Sequence, residues 1–111
     1  MYQHTSIATG VPPQPLEVPG VSIRPLWSDA KTGALTVVTE MQPGAVIPKH
    51  SHTHADETVF VLEGDFVEDG VSYGPGTYFV GAKGTLHGPH ATRGGCKVLT
   101  HFSATLDFVA G

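Results

Sequence analysis

Apolar residues in this chain come in short runs bounded by glycine and proline, and inside the runs they alternate with polar ones. A period of two marks strands with one buried face. Val21, Ile23 and Trp27 fall on odd positions, and Pro25 between them suits a sheet edge or a bulge. Asp29 to Gly33 reads as a turn, and Ala34 to Met41 as a strand rich in β-branched residues. Pro43-Gly44 turns the chain into a strand over Val46 to His54. Glu57 to Leu62 is the strongest strand pattern, ended by Glu63-Gly64. Asp69-Gly70 lies between Phe66-Val67 and Val71-Ser72-Tyr73, which predicts a tight hairpin with positive φ at the turn. Further strands are expected over Thr77 to Val80, Thr85 to Pro89 and Cys96 to Phe102. Thr105 to Val109 reads as a last strand or a short helix. No ten-residue segment carries a helical period, and turns recur about every 8–12 residues, the rhythm of an all-β sandwich or barrel.

Residues 1–20 break the rhythm. Val11-Pro12-Pro13-Gln14-Pro15 and Pro19-Gly20 exclude a helix and a central strand. They predict a Pro-rich N-terminal arm, either loose or packed on this barrel or a neighbour's. Residues 21–111 then form a single barrel domain. The 111 residues suit one domain. Ten acidic residues oppose six scattered basic ones, so no basic patch exists for nucleic acid or an anionic membrane. No apolar run reaches the roughly 18 residues of a membrane span, and residues 1–6 lack a signal-peptide pattern. Cys96 stands alone, which excludes an internal disulfide and fits a reducing, cytoplasmic setting.

The histidines carry the chemistry. Seven occur, and five lie between positions 50 and 90. In an extended chain, His50 and His52 point to one side. Glu57 begins the next strand and can bring a carboxylate to the same point. A mononuclear metal site needs three or four converging N or O donors, and His87 is the best candidate for the fourth. His54 continues the alternation and could replace Glu57. His90, three residues after His87, is expected at the rim or surface. The side on which His101 lies is open.

The run Gly44, His50, His52, Glu57, Gly64, with five, one, four and six residues between, resembles the first motif of the cupin superfamily. Gly76, Ala82, Gly84 and His87 resemble the second, with Ala82 where the family usually has proline and Ala91 where it often has asparagine. The resemblance implies a double-stranded β-helix, or jelly-roll, of the small RmlC-like kind. His50, His52, Glu57 and His87 would line its mouth as ligands to one divalent transition metal ion. Asp56 to Phe66 with Gly94-Gly95-Cys96 is similar to the cupin domains of zinc-binding anti-sigma factors and of some aromatic-ketone dioxygenases.

Such a donor set accepts Fe, Mn, Ni, Cu, Co or Zn. The expected function is a metal-dependent dioxygenase acting on a small oxygenated molecule. A non-redox lyase or isomerase, with His54 or Glu40 as base, and a sensory ligand-binding cupin are the alternatives. The pocket is expected to be apolar, walled by Val59, Val61, Tyr78, Val80, Val98, Thr100 and Phe102. Cys96 reads as a small buried hydrophobe. Exposed sheet edges suggest a homodimer.

Overall fold

The alternating runs become strands. In the computed structural model, which describes residues 1–111, the strands are β1 (Gln14–Pro15), β2 (Val21–Ser28), β3 (Leu35–Met41), β4 (Val46–Ile47), β5 (His50–Ser51) and β6 (Glu57–Gly64). They continue as β7 (Phe66–Glu68), β8 (Val71–Tyr73), β9 (Tyr78–Gly81), β10 (His90–Ala91), β11 (Cys96–Phe102) and β12 (Val109–Ala110). A six-stranded sheet has the order β1-β2-β3-β11-β6-β9, and a four-stranded sheet the order β4-β10-β7-β8. β12 and β5 form a separate pair. The chain crosses between the sheets, as expected of a jelly-roll barrel.

The inner face of the larger sheet is set by parity. Val37, Thr39 and Met41 on β3 are buried, as are Glu57, Val59 and Val61 on β6 and Val98, Thr100 and Phe102 on β11. Val21, Met41, Val59, Val61, Phe66, Cys96 and Val98 form the main core with Ala45. Each fully buried aliphatic side chain there contributes about 1.5–3 kcal/mol relative to an exposed one. Cys96 belongs to this core, and burial pushes its thiol up, out of the reactive range. No helix is long and apolar enough to cross a membrane.

The turn at Asp69-Gly70 has φ 51° and 78°, the left-handed pair that a two-residue hairpin requires. Pro25 marks a bulge, as its sequence position suggests: register shifts between Pro25 and Trp27. The shift places Trp27 opposite Thr36, on the outer face, so Trp27 does not share a side with Val21 and Ile23. The expected strand over Val46 to His54 is divided in two, because Pro48 offers no N–H to a ladder. Thr85 to Pro89 is not a strand; His87 instead forms an isolated bridge with His50. On β9 the expected pocket residues Tyr78 and Val80 are exposed, though Val80 lines a cavity with Glu57 and His87, while Phe79 packs against the core.

The Pro-rich segment is fastened to the barrel. β1 pairs with β2 at the sheet edge. His4 Nε2 and Ser6 Oγ both donate to the Leu26 carbonyl, at 2.7 and 2.9 Å. Arg24 Nη1 donates to the Val11 carbonyl at 2.7 Å while its Nε binds Glu40 at 2.6 Å.

Gly64 joins β6 to the turn before β7 with φ +79°, and a Cβ there would lie 2.0 Å from the Gly95 carbonyl oxygen. Both the left-handed backbone and the close approach require glycine. Gly64→Ala is therefore expected to cost at least about 2 kcal/mol in denaturant unfolding. A change below about 0.5 kcal/mol would contradict the packing described.

Candidate metal centre

Two distant segments are joined by a pair of backbone hydrogen bonds. The His50 amide donates to the His87 carbonyl at 3.0 Å, and the His87 amide to the His50 carbonyl at 2.9 Å. This bridge sets the two imidazoles side by side, with ring centroids 4.6 Å apart. His52 lies beyond β5, its ring 4.9 Å from His50 and 5.0 Å from His87. Glu57, the first residue of β6, faces inward with the buried parity of its strand. The donor atoms of His50, His52, Glu57 and His87 all lie within 4.8 Å of one another.

Backbone carbonyls fix two of the rings. His50 Nδ1–H donates to the Pro48 carbonyl at 2.7 Å, and His52 Nδ1–H to the Asp107 carbonyl at 2.6 Å. With Nδ1 protonated, a neutral imidazole keeps its Nε2 lone pair for a cation. His52 Nε2 and His87 Nε2 lie 3.4 and 3.3 Å from the same carboxylate oxygen of Glu57. Both nitrogens are buried and have no hydrogen-bond partner in the protein. Buried polar atoms without partners are costly, and here they converge on a carboxylate. Three nitrogens and one oxygen so placed could hold a divalent transition metal. Gly81 leaves room for this arrangement, since a Cβ there would approach His87 Nδ1 to 3.1 Å.

Burial disfavours the charged form of two of the cluster's imidazoles, His50 and His87. It lowers His50, against the Pro48 hydrogen bond and with the neighbouring His52. It pushes His87 down to about 4, with His50 and His52 adding to the effect. The carboxyl of Glu57 is raised by desolvation, which outweighs the attraction of His52.

The other sequence candidates lie elsewhere. His54 is exposed and lies outside the cluster, which contains Glu57. Glu40 sits on the outer face of β3, bound to Arg24 and 3.6 Å from Lys97 Nζ, away from the barrel interior. Its even position on β3 sends it opposite to Thr39. His101 also faces outward, with Nδ1 2.8 Å from Thr36 Oγ1. His90, expected at the rim, is 9 % exposed, with its ring 5.3 Å from His50. The chain between His87 and His90 turns at Gly88, φ 91°, so strand parity does not carry through. Burial pushes His90 down to about 4, helped by His50 and His52. Two participants had no sequence signal. Asp107 acts through its backbone carbonyl, which every residue has, and Phe108 packs 5.1 Å from the His52 ring from a segment too short to show a period.

An all-β barrel with these four side chains at one point defines a cupin. More narrowly, residues 4–105 match the family described as ChrR Cupin-like domain, and the chain belongs to that family. No curated protein matches the sequence. Among solved structures, an acetylacetone dioxygenase from Acinetobacter johnsonii is 18% identical over 93% of this chain and 74% of its own, with TM-score 0.76. KdgF from Halomonas sp. is 22% identical over 87% of this chain and 92% of its own, with TM-score 0.72. The Rhodobacter sphaeroides SigE complex with the anti-sigma ChrR gives 24% identity, 86% and 50% coverage, and TM-score 0.70. At these identities the likeness is one of fold.

Below pH 6.5 the unfolded chain protonates imidazoles that the folded chain keeps neutral down to about 4. Stability of the metal-free chain therefore falls as pH drops through that window. Glu57, raised above its ordinary 4.5, opposes the trend between that value and its raised folded-state one. Chelator-treated protein is expected to melt several degrees lower at pH 5 than at pH 7. An equal or higher melting temperature at pH 5 would contradict the assignment.

Proposed function

We propose that the chain is a metal-dependent oxidoreductase of dioxygenase type, with one divalent ion held by His50, His52, Glu57 and His87. Its substrate is a small, uncharged organic molecule that binds through oxygen. The observation that carries this reading is the junction of the donor set with an apolar cavity. His50 and Glu57 line a cavity of about 70 Å³, and 12 of its 17 lining residues are hydrophobic. A single water needs about 10–15 Å³ on this scale, so the room suits a compact molecule of few heavy atoms. No lysine or arginine lines it, which disfavours phosphorylated and dicarboxylic substrates.

An Fe²⁺ or Mn²⁺ ion would supply a Lewis acid and an electron donor for reaction of a bound oxygen-bearing substrate with O₂. The protein's part is positional. The Pro48 and Asp107 carbonyls hold two imidazoles in the ligating tautomer. Phe102 and Phe108 close the His52 side with rings at 5.3 and 5.1 Å and exclude water there. Ile23, Val37, Val59 and Val98 give the substrate an apolar wall. His54 and Glu40, the candidate bases, line neither of the two cavities beside the cluster, so proton transfer does not fall to them.

A second reading is regulatory: the site binds its ion and a ligand without turnover. The family match over residues 4–105 supports it, because the family takes its description from ChrR, an anti-sigma factor solved in complex with SigE.

Oxygen uptake separates the two. Protein loaded anaerobically with Fe²⁺, then exposed to O₂ with neutral diketones, hydroxyketones or phenols, is expected to consume O₂ in step with one substrate. His52→Ala should lower the rate at least about 100-fold. Full metal loading without uptake on any of these substrates would overturn the enzymatic reading in favour of the regulatory one.

A further inference from the structure

Beside the four donors sits a pair of side chains that the metal reading leaves unused. His90 and Glu68 are directly opposed in the β10–β7 ladder, so their side chains share a face. His90 Nδ1 makes a close hydrogen bond to Glu68 Oε1. The carboxylate can only accept, so Nδ1–H is spent on it. Nε2 of the neutral ring is then a hydrogen-bond acceptor, and no protein group donates to it.

The position of this ring is special. His90 lines the apolar cavity together with His50 and Glu57. It also lines a second cavity of about 130 Å³, with Glu57, Glu68 and His87. Its ring lies 5.3 Å from His50 and 5.4 Å from His87 and rests on Phe66 at 5.3 Å with an interplanar angle of 29°. Phe66 on one side and Glu68 at Nδ1 leave the imidazole little freedom to turn. A ring nitrogen fixed in orientation thus stands in the wall shared by both cavities, next to the donor cluster. The remaining polar residues of the apolar cavity, Thr39 and Thr100, share one hydrogen bond at 3.2 Å.

We propose that His90, held by Glu68, is a specificity-determining residue that accepts a hydrogen bond from the ligand at the metal. The site then selects small, mainly apolar molecules that carry an O–H or N–H beside the oxygen that binds the ion. This inference rests on the metal centre proposed above. An apolar isostere lacking that proton leaves Nε2 desolvated and unpaired, which is the basis of the discrimination.

The test uses the whole chain loaded with Co²⁺, whose visible spectrum reports ligands at the ion. Two probes bind through the same pair of oxygens: acetohydroxamic acid retains an N–H beside them, and N-methylacetohydroxamic acid does not. The parent should bind the N–H probe roughly five-fold or more tightly, the worth of about one net hydrogen bond. His90→Phe, with unchanged Co²⁺ content, should bind both alike. Glu68→Leu, which frees the ring, should also reduce the preference and serves if His90→Phe does not fold. A purely structural role for the pair would weaken both probes equally and leave their ratio intact. An undiminished ratio in either folded, Co²⁺-replete variant, or no preference in the parent, overturns the inference. A parent that retains no Co²⁺ refutes the metal centre itself.

Discussion

Three imidazoles and a carboxylate brought within 4.8 Å of one another are the arrangement on which the rest of the molecule turns. Without a cation, His52 Nε2 and His87 Nε2 are buried with no partner, and the Glu57 carboxylate is held in surroundings that disfavour its charge. Each unpaired buried polar group costs about 1–3 kcal/mol. The barrel nevertheless holds all of them in place. Backbone hydrogen bonds between His50 and His87 clamp two segments 37 positions apart, and the Asp107 carbonyl reaches back from near the C-terminus to orient His52. A fold that spends this many constraints on unsatisfied groups is built around something that satisfies them.

The barrel divides its labour by strand parity. Inward positions of β3, β6 and β11 make the core below the cluster and the apolar cavity beside it. Outward positions carry the Arg24–Glu40–Lys97 ion pairs and the Thr36–His101 contact, which face the solvent or the N-terminal segment. The half-exposed Lys97 contributes little stability through its contact with Glu40. The chemistry is therefore confined to one side of the strands, and the second sheet brings in Ile47, Phe66, Glu68 and His90.

Much of this was legible in the sequence, for reasons that can be stated. β11, Cys96–Phe102, is read to the residue because alternation and flanking glycines agree. The Asp69-Gly70 hairpin is legible because few other residues tolerate positive φ at both turn positions. His50, His52 and Glu57 stood out because side chains of ligand type recur there at a short spacing, whereas His87 lies far along the chain and stood out only as the best remaining histidine. What failed to show was geometry carried by the backbone. The bulge at Pro25 was foreseen, but not that it would rotate Trp27 outward. His90 was taken as a rim residue because a strand was assumed from Thr85 to Pro89, whereas a turn at Gly88 sends the ring inward. Glu40 attracted attention as a carboxylate, yet parity on β3 assigns it to the outer face, where Arg24 binds it. The supporting carbonyls of Pro48 and Asp107 have no side-chain signature at all.

The central claim is that one ion is held by three imidazoles and one carboxylate. X-ray absorption spectroscopy of the Co²⁺-loaded protein tests it most directly. The account predicts one tightly retained Co²⁺ per chain, with outer-shell scattering from three imidazole rings and first-shell N/O donors at about 2.0–2.2 Å. Fewer than three imidazoles around the ion, or loss of the ion on desalting, would contradict it.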